Sequence, residues 1–184
     1  MEGFALTLIG GAIFIHSLRL LGICTEDRAT GALMAALAAG LLLTLTFEPQ
    51  LLGTQGTNPI QQLAEVTVMK SLIVMWAVYA AAVAAQVVWD LDERAIGFYG
   101  VGLVAAGGAA FIYYVAIMFG VYTSVMLEFT IVSAALVLVA ALIIALMAVP
   151  VNAMRGATGW AMLSLSIIVA AIGLAMYTTI IAFS

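Results

Sequence analysis

The sequence predicts an all-α integral membrane protein, a six-transmembrane-helix bundle forming one domain over residues 1–184, with both termini on the extracytoplasmic side. Three observations lead there. The chain is 66% hydrophobic and 8% charged with a mean hydropathy of +1.27, whereas a soluble domain carries about 25% charged residues. The charges gather at breaks between long apolar runs. At about 20 residues per crossing, 184 residues allow about six spans with short connections. A soluble globule, a disordered chain and a coiled coil do not have this composition, and a single cysteine, Cys24, removes a disulfide framework. Five basic residues scattered along the chain make no phosphate-binding stripe, so nucleic acid is not an expected partner.

The breaks predict helices over Gly3–Cys24, Thr30–Phe47, Val66–Trp89, Ala95–Phe119, Val125–Val149 and Thr158–Ala182. Met1-Glu2-Gly3-Phe4 opens with an acid and no Ala-x-Ala follows the first apolar run, so the stretch from Phe4 is expected to be a retained helix, not a cleaved signal. Thr25-Glu26-Asp27-Arg28 makes the first connection. The second, Glu48–Glu65, is long and holds Glu48-Pro49, Gly53, Gly56 and Asn58-Pro59 without an apolar period, as expected of a surface loop able to fold over an opening. Asp90-Leu91-Asp92-Glu93-Arg94, an uncharged turn at Gly120–Ser124 and Pro150–Ala157 make the rest. Gly40, Gly97, Gly100, Gly102, Gly107 and Gly108 and the Ala-rich faces suit close helix contact.

Arg19, Arg28, Arg94 and Arg155 fall at the first, third and fifth connections, and only Lys70 lies toward the other side. The excess places those connections in the cytoplasm of a cell (inner) membrane, with the termini and Glu48–Glu65 outside.

One histidine, one cysteine and no acid in mid-span leave no set of partners for haem, zinc, thiol redox chemistry or a Ser-His-Asp triad. No enzyme activity, cofactor or metal is expected. His16 and Arg19, three apart, share a face of helix 1: they could line a polar path, or Arg19 could snorkel to the headgroups while His16 makes a buried hydrogen bond. Trp76, Tyr79 and Gln86 share a face of helix 3 and could form a slot for a flat, uncharged, hydrogen-bonding solute, or serve as packing. Trp89, Tyr99 and Trp160 stand near helix ends as interfacial anchors. Ser164 and Ser166 are further pore-lining candidates, and Glu48, Glu65, Lys70 and Glu128 could ring an outer vestibule in which Lys70 pairs with Glu128.

Met1, Gly3, Gly10, His16, Glu26-Asp27-Arg28-Ala29-Thr30 and the small-rich Ala32–Gly40 resemble the opening of the urea and short-chain amide channels (AmiS/UreI), with His16 where that family has Asn. Leu91-Asp92-Glu93-Arg94-Ala95-Ile96-Gly97-Phe98-Tyr99 and the Pro150–Trp160 segment are similar to its later turns. The resemblance implies six spans, both termini outside, a homo-oligomeric (hexameric) ring in membrane lipid, and passive conduction of a small neutral solute. Besides His16, two features depart from the family: Val125–Val149 has no Trp, and Ser164-Leu165-Ser166 stands where acid-gated members carry an acid. Glu48–Glu65 has no His, so no sharp acid gating is expected. The competing expectation is a non-catalytic subunit of a larger membrane complex, and a weaker one a proton-linked carrier using His16 and Glu128.

Overall fold

The computed structural model describes residues 2–23, 26–46, 59–120, 125–148 and 152–183. Among them lie six α-helices and no strand: α1 (Glu2–Leu20), α2 (Asp27–Thr44), α3 (Pro59–Trp89), α4 (Glu93–Gly120), α5 (Val125–Ala145) and α6 (Asn152–Phe183), with a 3-10 turn over Leu146–Ala148 after α5. Five are long and apolar enough to cross a membrane; α2, with 18 residues that include Asp27 and Arg28, is not among them. The chain is thus built as a multi-pass membrane protein. Its outward side chains agree, since Leu43, Phe98, Ile112 and Ile167 are exposed on helix faces that water would not favour.

Two helix starts differ from those expected by more than three residues. The third helix begins at Pro59, not Val66, so residues 59–65 of the expected surface loop are helical. Proline suits a first helical position, where its missing N–H is not needed, and Gln61, Gln62, Leu63 and Ala64 are good helix formers. The sixth begins at Asn152, not Thr158. Helix α4 starts at Glu93 because Asp92 caps it, its Oδ1 accepting from Arg94 N at 2.9 Å.

Helix α1 ends in a paired cap: Ile23 N donates to Leu18 O and Gly22 N to Arg19 O, both at 3.0 Å, with Gly22 at φ +71. Helix α3 also ends at a residue in the left-handed position, Asp90 at φ 51, with the single cap bond from Leu91 N to Gln86 O at 3.1 Å.

Each helix packs on its chain neighbours, and α6 closes the ring by packing along α1 in the most extensive contact of the fold. The tightest seams need glycine. A Cβ on Gly3 would meet Gly173 O at 2.5 Å, and one on Gly10 the Ala170 backbone at 2.8 Å, along the α1–α6 seam. On the α4–α5 side, a Cβ on Gly97 would lie 2.1 Å from Ala148 N and one on Gly100 2.7 Å from Ala145 N. Gly107 and Gly40 make ordinary to tight contacts with Leu138 and Leu8, Gly102 meets only the end of Met75, and Gly108 faces open space.

The antiparallel course gathers all four arginines at one end. There Arg155 pairs with Glu93 at 2.7 Å, joining α6 to α4, and Arg19 lies 3.6 Å from Asp27, joining α1 to α2. Trp89 and Trp160 are exposed near that end, as interfacial anchors should be. Tyr99 is not: it is half-buried and donates its hydroxyl to Met75 O at 2.9 Å, tying α4 to α3.

Candidate functional site

The interior is largely apolar, and among the described residues its buried polar side chains other than serine and threonine, His16 and Gln86, lie where α1 meets α3. The face of α3 that carries Trp76, Tyr79, Val83 and Gln86 is buried, with Trp76 1% and Tyr79 0% exposed. Opposite it, α1 presents His16, also 1% exposed. The Tyr79 hydroxyl and His16 Nδ1 share a hydrogen bond of 2.5 Å, and Trp76 meets the Tyr79 ring edge-on with centroids 5.2 Å apart. Two turns further along α3, Gln86 Oε1 accepts from Arg19 Nη1 at 2.5 Å. The sequence placed these residues on two helix faces; the fold brings the faces together. His16 and Tyr79 are joined by 63 positions of chain, a pairing no local pattern carries.

His16 Nε2 is buried and has no hydrogen-bond partner among the described residues. A neutral imidazole carries one donor and one acceptor. When the Tyr79 hydroxyl donates to Nδ1, the ring proton sits on Nε2 as an unused donor. Burying such a group unpaired costs about 1–3 kcal/mol, which a fold tolerates where the group has a further task.

No family model, curated protein or solved structure matches the chain. The site therefore rests on its own geometry. On the side of Trp76 away from Gln86 lies a small apolar chamber of about 40 Å³, lined by α1, α3, α4, α5 and α6 through Ile9, Met69, Trp76, Tyr114, Val137 and Met176 among others. That volume holds about one water. The sequence carries no sign of this chamber: Tyr114 and Met176 belong to helices that are apolar all round and show no inward face until they are packed.

Ser166 is buried and donates to Leu163 O at 2.7 Å, while Ser164 is on the exposed face of α6 and donates to Trp160 O at 3.1 Å. Both hydroxyls bond their own helix. Of the vestibule candidates, Lys70 is half-buried on α3. Glu48 lies outside the described residues. Glu65 and Glu128 fall within α3 and α5, but their side chains lie outside what is described, and so does the expected Lys70–Glu128 pair.

Proposed function

We propose that the chain is a passive channel in the cell membrane for urea, a short-chain amide or a similar small neutral solute, acting as a homo-oligomer. In this reading α2 is the sixth span, its charged first turn standing in the headgroups, and both termini are extracytoplasmic. The observation that carries it is the buried His16–Tyr79 pair with His16 Nε2 unpartnered among the described residues, set in a largely apolar bundle. A polar solute leaving water loses hydrogen bonds worth several kcal/mol, and a wall offering an imidazole N–H and a phenol returns part of them to a carbonyl-bearing molecule. Trp76 stands between this pair and the chamber, so flat solutes can lie against it. The acids of the chain sit in connections or toward helix ends, which supports passive movement over ion coupling.

The test is stopped-flow light scattering of proteoliposomes under urea, acetamide and glycerol gradients. Urea and acetamide are expected to enter faster than glycerol. Tyr79→Phe removes one hydrogen bond and slows urea roughly tenfold, the equivalent of about 1.4 kcal/mol in the barrier. Trp76→Ala enlarges the chamber and lets glycerol through. Wild-type protein with no flux above empty liposomes, or both variants conducting urea like the parent, would overturn the reading.

A second reading, an integral subunit of a larger membrane complex, is favoured by one feature. A surface groove of about 630 Å³ between α2 and α3 is lined largely by alanines, among them Ala32, Ala35, Ala39, Ala81 and Ala85, where a partner helix could approach closely. A stable homo-oligomer retaining no other chain in mild detergent counts against it.

A further inference from the structure

We propose that Arg19 is the charge-selecting residue of this path: its guanidinium, held inward by Gln86, rejects cations that match the conducted solute in size and shape. The inference rests on the channel reading above and goes beyond it, because nothing in neutral-solute conduction requires a fixed cation.

An arginine in the last turn of a membrane helix ordinarily extends to the headgroups. Arg19 does the opposite. Its side chain is 14% exposed and its Nη1 donates to the Gln86 Oε1, on a residue that is itself 3% exposed. Arg19 follows His16 by three positions on α1, and Gln86 follows Tyr79 by seven on α3, so both steps stay on one face and both run toward the arginine-rich end. The two hydrogen-bonded pairs are therefore stacked in the same order, and a solute that has passed His16 and Tyr79 meets the guanidinium next. The counter-charge is weak there. Asp27 Oδ1 is 3.6 Å from Arg19 Nε, but its side chain is 66% exposed, in water that screens it from the interior.

Coulomb repulsion then separates neutral from charged. At about 5 Å and an effective dielectric of about 20, two unit cations repel strongly enough to slow entry by roughly two orders of magnitude. A neutral dipole meets no such barrier. Urea and guanidinium form the natural probe pair: both are planar, three-armed molecules of four heavy atoms, and they differ in net charge.

The experiment compares uptake of radiolabelled urea and radiolabelled guanidinium into proteoliposomes holding wild-type protein, Arg19→Gln or Arg19→Lys, each checked for native elution. Wild-type protein is expected to favour urea over guanidinium by about 100-fold, Arg19→Lys to keep most of that preference, and Arg19→Gln to bring it to about tenfold or less, as loss of the fixed charge requires. Wild-type protein that passes urea and also admits guanidinium at a similar rate overturns the proposal while leaving the channel reading intact. So does an Arg19→Gln protein whose preference matches the wild type. Should Arg19→Gln fail to fold, Arg19→Met, which keeps the apolar stem, replaces it as the neutral variant, and its urea-to-guanidinium ratio is read in the same way. Absence of urea uptake by wild-type protein strikes the channel reading itself.

Discussion

Asp90 holds a backbone conformation that L-residues avoid, and its chemistry explains why it can. At φ 51 it occupies the cap position that Gly22 fills after α1, and aspartate is among the few non-glycine residues that enter this region at modest cost. Two opposite substitutions follow. Gly22→Ala has open space around the new Cβ, so only backbone strain remains, and a loss of about 1 kcal/mol is expected. Asp90→Gly relieves the same strain and should raise stability by roughly 0.5 kcal/mol, with Asp90→Asn near neutral. Thermal melts in detergent check both, and a Gly22→Ala protein as stable as the parent would contradict the cap assignment. The site was legible at this scale only in part. That His16 and Arg19 share one face and Trp76, Tyr79 and Gln86 another follows from helix geometry; which atom meets which depends on how each helix is rotated and slid, and an apolar helix carries no mark of either. Ser164 and Ser166 could have been separated without a structure, because residues two apart lie on different faces, and only Ser166 is buried.

At the scale of the element, charge marks where a helix leaves the apolar layer, not where it stops being a helix. Helix α3 has 31 residues, about 46 Å at 1.5 Å each, against a hydrocarbon core of about 30 Å, so its first turns need no membrane to satisfy their backbone. That is why the starts at Pro59 and Asn152 lay outside the charge-derived boundaries. Glycine content was similarly visible while glycine function was not. Gly97 and Gly108 sit on the same helix, yet one is pressed against the Ala148 backbone and the other faces open space. Gly97→Ala should therefore force the α4–α5 seam apart and cost about 1–3 kcal/mol, whereas Gly108→Ala should be neutral or gain up to about 1 kcal/mol from helix propensity. Unfolding midpoints of the two variants, measured side by side, separate a packing role from glycine content in general. Equal midpoints would remove the seam argument.

The whole molecule is closed by a contact between its first and last helices, the pair most distant in the chain. Gly3 and Gly10 were noticed in the sequence, but nothing there could say that Gly173 and Ala170 lie against them. The same antiparallel closure gathers the basic residues. With α1 and α6 antiparallel, Arg19 and Arg155 come to one end beside Arg28 and Arg94, and Lys70 is left alone toward the other. An excess of arginine in short connections is retained on the cytoplasmic side during insertion, because moving such charge across the bilayer is unfavourable. Ala95 and Gly156, both exposed at the arginine-rich end, report on this. In a Cys24→Ser background, Ala95→Cys and Gly156→Cys should resist a membrane-impermeant maleimide in intact cells and react once the membrane is opened. Arg28 and Arg94 are exposed and make no ion pair among the described residues, so replacing both with glutamine should leave packing intact while weakening the bias. If two arginines are also introduced into residues 49–58, a population labelled in intact cells should appear. Labelling of the unaltered charge pattern from outside would place the arginine-rich end on the other side and turn the proposed path, with Arg19 at its outer mouth, end for end.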